Sequence, residues 1–284
     1  MWAAVGYQPN WIDVITSDFM RTAFLGGVLI AVSAGLLGYY VVIRQNAFAA
    51  HALAHIGFPG ATGAVLIGVP VTLGLGVFCV GGALAIGLMG RRVAEREVAT
   101  GTVLAFATGL GVLFNSLTTR SASSVTNVLF GNLLVITDDQ LVTYAVFTGL
   151  VVGALAVIAR PLTFASVTPD VAAARGVPVR VLNIVFLVLL GLVVTMAVQV
   201  VGTLLLFGLV VTPAAAALSL TARPALVAAL STAIGVACVV LGLVGAVVFN
   251  LPPSFVIVTL STAVWAVAKW IAWERTRVRS PEPF

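Results

Sequence analysis

Long apolar runs separated by short polar connections make up most of this 284-residue chain. A transmembrane helix needs about 20 mainly apolar residues, and nine runs come close to that length. They cover residues 19–43, 52–68, 71–90, 98–117, 141–159, 181–201, 202–221, 225–248 and 255–273. We therefore predict an all-α fold, a polytopic transmembrane helical bundle of eight to nine spans, which forms a single domain over residues 1–284.

The composition supports this class of protein. Hydrophobic residues make up 61% of the chain, charged residues 8%, and the mean hydropathy is +1.18. A soluble domain carries roughly a quarter charged residues, so we expect most of the surface to face lipid. Cys79 and Cys238 lie far apart within predicted spans, which argues against a disulfide framework or a CxxC metal motif. The first residues lack the basic segment of a cleavable signal peptide, so the first apolar run is expected to be a retained span.

The basic residues are distributed among the short connections. The net charge is +5, and 13 of the 14 basic residues are arginines, but their scatter excludes a continuous nucleic-acid-binding face. If the loop at 160–180 is cytoplasmic, twelve basic residues fall inside and only Arg21 and Arg120 fall outside. The positive-inside rule describes this asymmetry. It predicts nine crossings, with the N-terminus outside and the C-terminus in the cytoplasm.

The only two histidines, His51 and His55, are four residues apart in a nearly uncharged apolar stretch. On a helix this spacing places both imidazoles on the same face. Ionisable groups within a bilayer are costly and usually functional, and neutral imidazoles bind transition-metal ions. Gly57, Pro59 and Gly60 would weaken or kink the helix just beyond the pair, as in helices that line a cavity. The competing interpretation is a pair of hydrogen-bonded core histidines.

Two imidazoles from one chain leave a tetrahedral metal ion half coordinated. A symmetric homodimer with the site near its axis would supply four, which we state as a hypothesis. Ligation needs neutral imidazole, whose reference pKa is about 6.5. Metal loading is therefore expected to weaken below about pH 6.

Other chemistries fit the sequence less well. None of the nine acidic residues lies in the middle of a predicted span, which disfavours a proton relay through buried carboxylates. The histidines are separated by Ala-Leu-Ala rather than by the HExxH pattern of a zinc protease. The chain also lacks the phosphate-loop pattern GxxxxGK[ST], and Lys269 is its only lysine. If ATP drives transport, the nucleotide site must lie on another subunit.

The predicted cytoplasmic loop at 160–180 contains a stretch, residues 168–176, that is typical of a short helix. Pro169 suits the first turn, Asp170 suits the positive N-terminal end, and Gly176 provides a C-terminal stop. This helix is either a docking element or an ordinary connector. On the opposite side, residues 118–140 contain a semi-apolar run at 128–136 that is a candidate re-entrant segment.

Four stretches, in order, resemble the ABC-3 family, the membrane permease subunits of bacterial ABC importers for zinc and manganese. The first resembles G-D-x-L-S/A-H-A-x-L-P-G, with His55 on the family histidine and His51 where the family usually has Asp. The others are similar to L-F-G-x-I/L-L, to D-P-E-x-A-x-x-x-G-V with Thr168 in place of the first Asp, and to V-G-x-L-L-L followed by P-A-A-x-A. They occupy residues 50–60, 129–134, 168–177 and 201–217.

The resemblance implies a multi-pass permease of the type II ABC importer kind in the bacterial plasma membrane, embedded in lipid. It implies a homodimer, separate cytoplasmic ABC ATPase subunits and an extracytoplasmic metal-binding receptor protein, with no permanently bound cofactor. His51 and His55 would contact the transported ion. Two imidazoles favour an ion that prefers nitrogen ligands more strongly than a site with one Asp and one His does. Zn²⁺ is therefore expected ahead of Mn²⁺. The residues implied to couple the permease to the ATPase are Pro169, Asp170, Ala172, Arg175 and Gly176.

Two alternatives remain at this point. A permease for an iron chelate, a siderophore or cobalamin would share the coupling-loop pattern, although a histidine pair is not expected in a path sized for a large chelate. An ATPase-independent channel or structural membrane protein would need no coupling helix. Association with an ATPase distinguishes a transporter subunit from a channel.

Overall fold

The computed structural model describes residues 11–89, 93–117, 131, 136–203 and 206–279, and the elements in these ranges are helices. We number them in chain order. They are α1 Trp11–Ile15, α2 Asp18–Ile43, α3 Ala47–Ile67, α4 Val71–Met89, α5 Val93–Leu117, α6 Asp138–Val167, α7 Pro169–Ala174, α8 Val179–Val201, α9 Leu206–Val210, α10 Thr212–Leu220, α11 Pro224–Phe249 and α12 Pro253–Arg279.

Eight of these helices are long and apolar enough to cross a membrane, and each matches one predicted span. Helix α2 packs along α11, α3 lies against both α4 and α5, and α8 packs against α4. Most residues of α2, α3 and α8 are buried, so these three helices form the centre of the bundle. The predicted all-α membrane architecture is confirmed.

The remaining predicted span, 202–221, is not one long helix. It consists of the short helices α9 and α10, with Val211 between them. Ser261 Oγ in α12 donates to the carbonyl oxygen of Gly208, and a Cβ on Gly38 would overlap the carbonyl oxygen of Val210. The segment breaks here because Pro213 has no N–H to bond to the carbonyl of residue 209. The described residues thus hold eight helices long enough to span a membrane and, at 206–220, a shorter apolar segment.

Two helices continue through prolines at which the sequence suggested an interruption. Helix α6 passes Pro161 and ends at Val167, so the connection predicted at 160–180 begins only at Thr168. Packing explains the extension, because Leu162 and Ala165 are buried. Helix α3 likewise continues through Pro59 to Ile67.

Polar contacts define the two ends of the bundle. We call the end that carries Arg44, Arg96 and Asn183 the inner end, and the end that carries Thr72, Gln140 and Gln199 the outer end. The positive-inside asymmetry predicts that the inner end is cytoplasmic.

Candidate functional site

The histidine pair lies on the only face of the first half of α3 that is not fully packed. Phe48, His51, His55 and Phe58 are partly or largely exposed, while the residues between His51 and His55 are buried. Their spacing of three or four residues is that of one helix face. We call these four residues the α3 stripe. The sequence prediction that both imidazoles share a helix face is therefore met in the structure.

The two imidazole rings lie side by side. Their centroids are 4.7 Å apart, and the rings meet edge to face at 73°. Within the described part of the chain, neither ring has a hydrogen-bond partner. A core histidine is normally hydrogen-bonded, so the rings lack the contacts that the core-histidine interpretation requires. Among these residues, no hydrogen bond competes with a ligand for the imidazole nitrogens.

One chain does not complete a metal site from these two rings. No group of three or more His, Cys, Asp or Glu side chains that could hold a metal ion occurs among the described residues. Borderline-soft divalent ions usually take four ligands in a closed site, or three ligands and a water in an open one. A metal ion at the histidine pair would therefore need ligands from outside the described residues or from solvent.

Pro59 changes the backbone beside the site. Because Pro59 has no N–H, the carbonyl of His55 lacks its usual partner four residues further along the helix. Thr62 Oγ1 donates to the carbonyl oxygens of Phe58 and Pro59, at 3.1 and 3.3 Å. The Thr62 hydroxyl thus bonds to carbonyls in the turn after the histidines, whereas the carbonyl of His55 has no backbone donor within the helix.

A polar network at the outer end was not predicted from the sequence. Gln199 Oε1 accepts hydrogen bonds from Thr72 Oγ1 at 3.1 Å, Gln140 Nε2 at 3.3 Å and Tyr144 OH at 3.3 Å. These bonds join α4, α6 and α8. Thr137 and Gln140 also form a reciprocal capping box that fixes the start of α6. The available signal was Gln199 itself, one of only two amides in the apolar span 181–201.

The predicted short cytoplasmic helix is present as α7. Pro169 occupies its first turn with Asp170, Arg175 is its C-cap, and Gly176 has a φ of +82°. Ala172 is fully buried against the bundle, whereas Asp170 and Arg175 are exposed. Buried Ala172 therefore anchors α7 to the bundle, beside the inner ends of α6 and α8, while Asp170 and Arg175 face outward.

The second family-like stretch, 129–134, and the semi-apolar run at 128–136 lie outside the described residues except for Gly131 and Ile136. Gly131 has a φ of +69°, and a Cβ there would lie 2.5 Å from the backbone nitrogen of Gly202. Both conditions require glycine. The second and fourth family-like stretches therefore meet at the outer end, backbone against backbone.

Similarity to known proteins agrees with this architecture. A membrane protein of a manganese transport system, MntC of Listeria innocua, is 26% identical over 251 residues, 88% of this chain and 89% of that protein. A protein of Haemophilus influenzae whose name points to an iron transport system is 26% identical over 278 residues, 95% of this chain and 99% of that protein. In the solved structure of PsaBC from Streptococcus pneumoniae with Fab, one chain superposes with a TM-score of 0.81 and 25% identity. That match covers 91% of this chain and 94% of the PsaBC chain.

The family assignment covers nearly the whole membrane region. The ABC 3 transport family matches residues 16–272, which include α2 to α11 and most of α12. The chain is thus a multi-pass membrane permease subunit and not an enzyme, and its ATPase is a separate partner. On the strength of the fold and of this match, the protein belongs to the ABC 3 transport family.

Proposed function

We propose that this permease imports a divalent transition-metal ion and that His51 and His55 contact the ion on its way through the membrane. The observation that carries the proposal is the pair of adjacent imidazoles on the partly exposed α3 stripe, which have no hydrogen-bond partner among the residues that the structure describes. The manganese transport relative supports a metal cargo. Metal uptake by vesicles that contain all partner subunits tests the proposal. Replacement of an imidazole should reduce uptake if the histidines contact the ion, and should leave it intact if they only pack.

A homodimer would complete the site. Each chain supplies two imidazoles, so a twofold axis beside the α3 stripe brings four nitrogen ligands to one point. The same contact would cover Phe48, which is 47% exposed, and Phe58. An ion carried through such a site should be held only moderately, since transport requires release.

In this proposal the pathway opens alternately to the two sides of the membrane. An extracytoplasmic metal-binding receptor delivers the ion to the outer end, where Gln199 ties α4, α6 and α8 together. Two cytoplasmic ABC ATPase subunits engage α7 on each chain and move the inner ends of α6 and α8. The exposed charges of Asp170 and Arg175 provide the contact, while buried Ala172 transmits the movement to the bundle.

The ion that the two-histidine site favours is Zn²⁺. Imidazole nitrogen suits zinc, whereas manganese prefers carboxylate and carbonyl oxygen. Mn²⁺ is the second candidate, and the manganese transport relative favours it. The position of His51 decides between them, since the family pattern usually has an aspartate there.

We expect His51→Asp to retain transport and to shift the uptake ratio of Zn²⁺ to Mn²⁺ toward manganese by about tenfold. The carboxylate replaces a nitrogen ligand with an oxygen ligand at the same helix position. Competition uptake of both ions into vesicles with all partners measures the ratio. His51→Asn is the matched control, because it offers an oxygen without the negative charge. An unchanged ratio in His51→Asp would contradict this account of ion preference.

We expect the double substitution Asp170→Ala and Arg175→Ala to uncouple ATP hydrolysis from transport. Both side chains are exposed on α7, so their truncation should remove contacts with the ATPase while Ala172 keeps the helix anchored. The number of ions imported per ATP hydrolysed in reconstituted vesicles measures coupling, and it should fall toward zero. Arg223→Ala, an exposed arginine at the same end of the bundle, is the control. A normal ratio in the double variant would make α7 a simple connector.

A further inference from the structure

Two arginines from distant parts of the sequence meet at the inner end of the bundle. Arg44 follows α2, and Arg96 lies near the start of α5. Arg44 Nη2 and Arg96 Nη1 both donate to Asn183 Oδ1 in α8, each at 3.0 Å. Arg44 Nη1 also donates to Ser166 Oγ at 3.0 Å. We call Arg44, Arg96 and Asn183 the inner arginine cluster.

The positive charge of this cluster is not balanced by the described residues. The acceptors that they offer to the two guanidinium groups are neutral oxygens, those of Ser166, Asn183 and, at 3.5 Å, Asn46. The Nε atoms of both arginines and Nδ2 of Asn46 are buried without a hydrogen-bond partner in the described part of the chain. Asn46 is only 5% exposed. Buried charges and buried donors without partners are costly, so a counter-anion beside the guanidinium groups would stabilise the cluster.

The two guanidinium groups and the adjacent end of α8 bring positive charge together. The pKa of the Arg44 guanidinium falls to about 10, because burial disfavours its charged form and because Arg96 lies close by. Arg44 also lies over the ring of Phe186, 5.2 Å from its centroid. The N-terminal end of α8, whose peptide dipoles place partial positive charge there, begins at Val179 beside the same cluster. The closeness of the two guanidinium groups and the N-terminal end of α8 both favour an anion, while the Phe186 ring stabilises the Arg44 cation.

A cavity of about 640 Å³ opens at this cluster. It lies between the inner ends of α2, α4, α5, α6 and α8, and Arg180 adds a third, exposed guanidinium to its wall. Pro169, the first residue of α7, lines the cavity as well. The space is large enough for a headgroup-sized anion, and a metal cation would be repelled from it.

We propose that this cavity binds a phosphate-class oxyanion, either the headgroup of an anionic phospholipid or free phosphate. Guanidinium groups form paired, charge-assisted hydrogen bonds with phosphate oxygens, and Arg44, Arg96 and Arg180 all line this cavity. Basic pockets between transmembrane helices on the cytoplasmic side lie at the depth of lipid headgroups. The anion would neutralise the cluster and tie α2, α5 and α8 together beside α7. This site is separate from the α3 stripe and does not depend on the proposed metal cargo.

Asn183→Asp tests the proposal directly. The substitution keeps the shape of the side chain and places a carboxylate where both arginines already donate. It therefore supplies the missing negative charge from within the chain. We expect the full-length variant in detergent to unfold at a higher temperature than the wild type when no phosphate is added. We also expect it to lose the stabilisation of roughly 4 °C or more that saturating inorganic phosphate gives the wild type at constant ionic strength.

Two arms of the experiment distinguish the sources of the anion. In the first, inorganic phosphate is added to delipidated protein. In the second, phosphatidylglycerol that remains bound after purification is counted per chain. About one more lipid per wild-type chain than per Asn183→Asp chain identifies a headgroup, and a phosphate response without retained lipid identifies free phosphate.

Further variants keep the test decisive if Asn183→Asp is poorly folded. Arg96→Gln should lose both responses, whereas Arg223→Gln, which removes an equal charge from an exposed site, should keep them. Equal phosphate and lipid responses in wild type, Asn183→Asp and Arg96→Gln would overturn the proposal. A second outcome would also overturn it: the wild type shows neither response, and Arg96→Gln no longer assembles with the ATPase. An acidic segment of the partner would then fill the cavity.

Discussion

His55→Ala is expected to reduce metal uptake by more than about tenfold while leaving the protein folded and inserted. The loss is large because His55 supplies one of only two imidazoles per chain, and in a symmetric dimer one substitution removes two of four ligands. Substitution of a group that hydrogen-bonds to a metal ligand already lowers metal affinity or activity by 10- to 100-fold. Loss of a ligand itself should lower them at least as much. Uptake of radioactive Zn²⁺ into vesicles with all partners measures the effect.

The structure predicts that this substitution has little effect on stability. His55 is partly exposed, and within the described residues its ring contacts the ring of His51 without any hydrogen bond. Truncation of such a side chain should change the free energy of unfolding by about 0.5 kcal/mol or less. Ile67→Ala, at a 73% exposed position near the end of the same helix, is the control for uptake and for stability. Uptake by His55→Ala at the wild-type rate would remove His55 from the pathway.

Gly74→Ala is expected to cause the largest loss of stability among single-methyl additions to α4. The backbones of α3 and α4 touch at Gly60 and Gly74, and a Cβ on either glycine would overlap the carbonyl oxygen of the other. A Cβ on Gly74 would also lie 2.7 Å from Cβ of Ala64. Backbone atoms cannot move aside as a flexible side chain can. Overpacking should therefore cost about 3 kcal/mol and lower the unfolding temperature by roughly 6–12 °C.

Gly81→Ala is the matched control, because it makes the same change in the same helix where nothing lies within 4 Å of the added Cβ. Thermal unfolding of both variants in one detergent gives the comparison. Since α4 supports the helix that carries the α3 stripe, Gly74→Ala should also reduce metal uptake. Equal unfolding temperatures for the two variants would show that α3 and α4 separate at little cost.

The long spans were predictable because continuous apolar sequence has few other stable states in a membrane protein. Helix α7 was predictable for a local reason, since Pro169, Asp170 and Gly176 are start and stop signals within eight residues of one another. The continuation of α6 past Pro161 was not, because it depends on packing of its last two turns against α2. Tyr40 OH and Arg44 Nη1, from the end of α2, contact Thr163 and Ser166.

The candidate sites were predictable only where their residues are close in sequence. His51 and His55 are one helical turn apart, so periodicity alone places them together. The inner arginine cluster joins residues separated by 87 and 139 positions, and Gln199 meets Thr72 across 127. No local pattern marks those pairings. From the sequence, these arginines contribute only to the positive-inside asymmetry. That asymmetry predicts their side of the membrane but not that both donate to Asn183.

The contact between Gly131 and Gly202 has a mechanical consequence. With no side chain between them, the two backbones have no compressible layer to absorb a displacement. A displacement of the outer-end connection at Gly131 would press directly on the end of α8, and the other end of that helix carries Asn183. A receptor that presses on this connection would therefore act on α8, a continuous helix that rises about 1.5 Å per residue. This helix reaches from the outer end of the bundle to the arginines at the inner end.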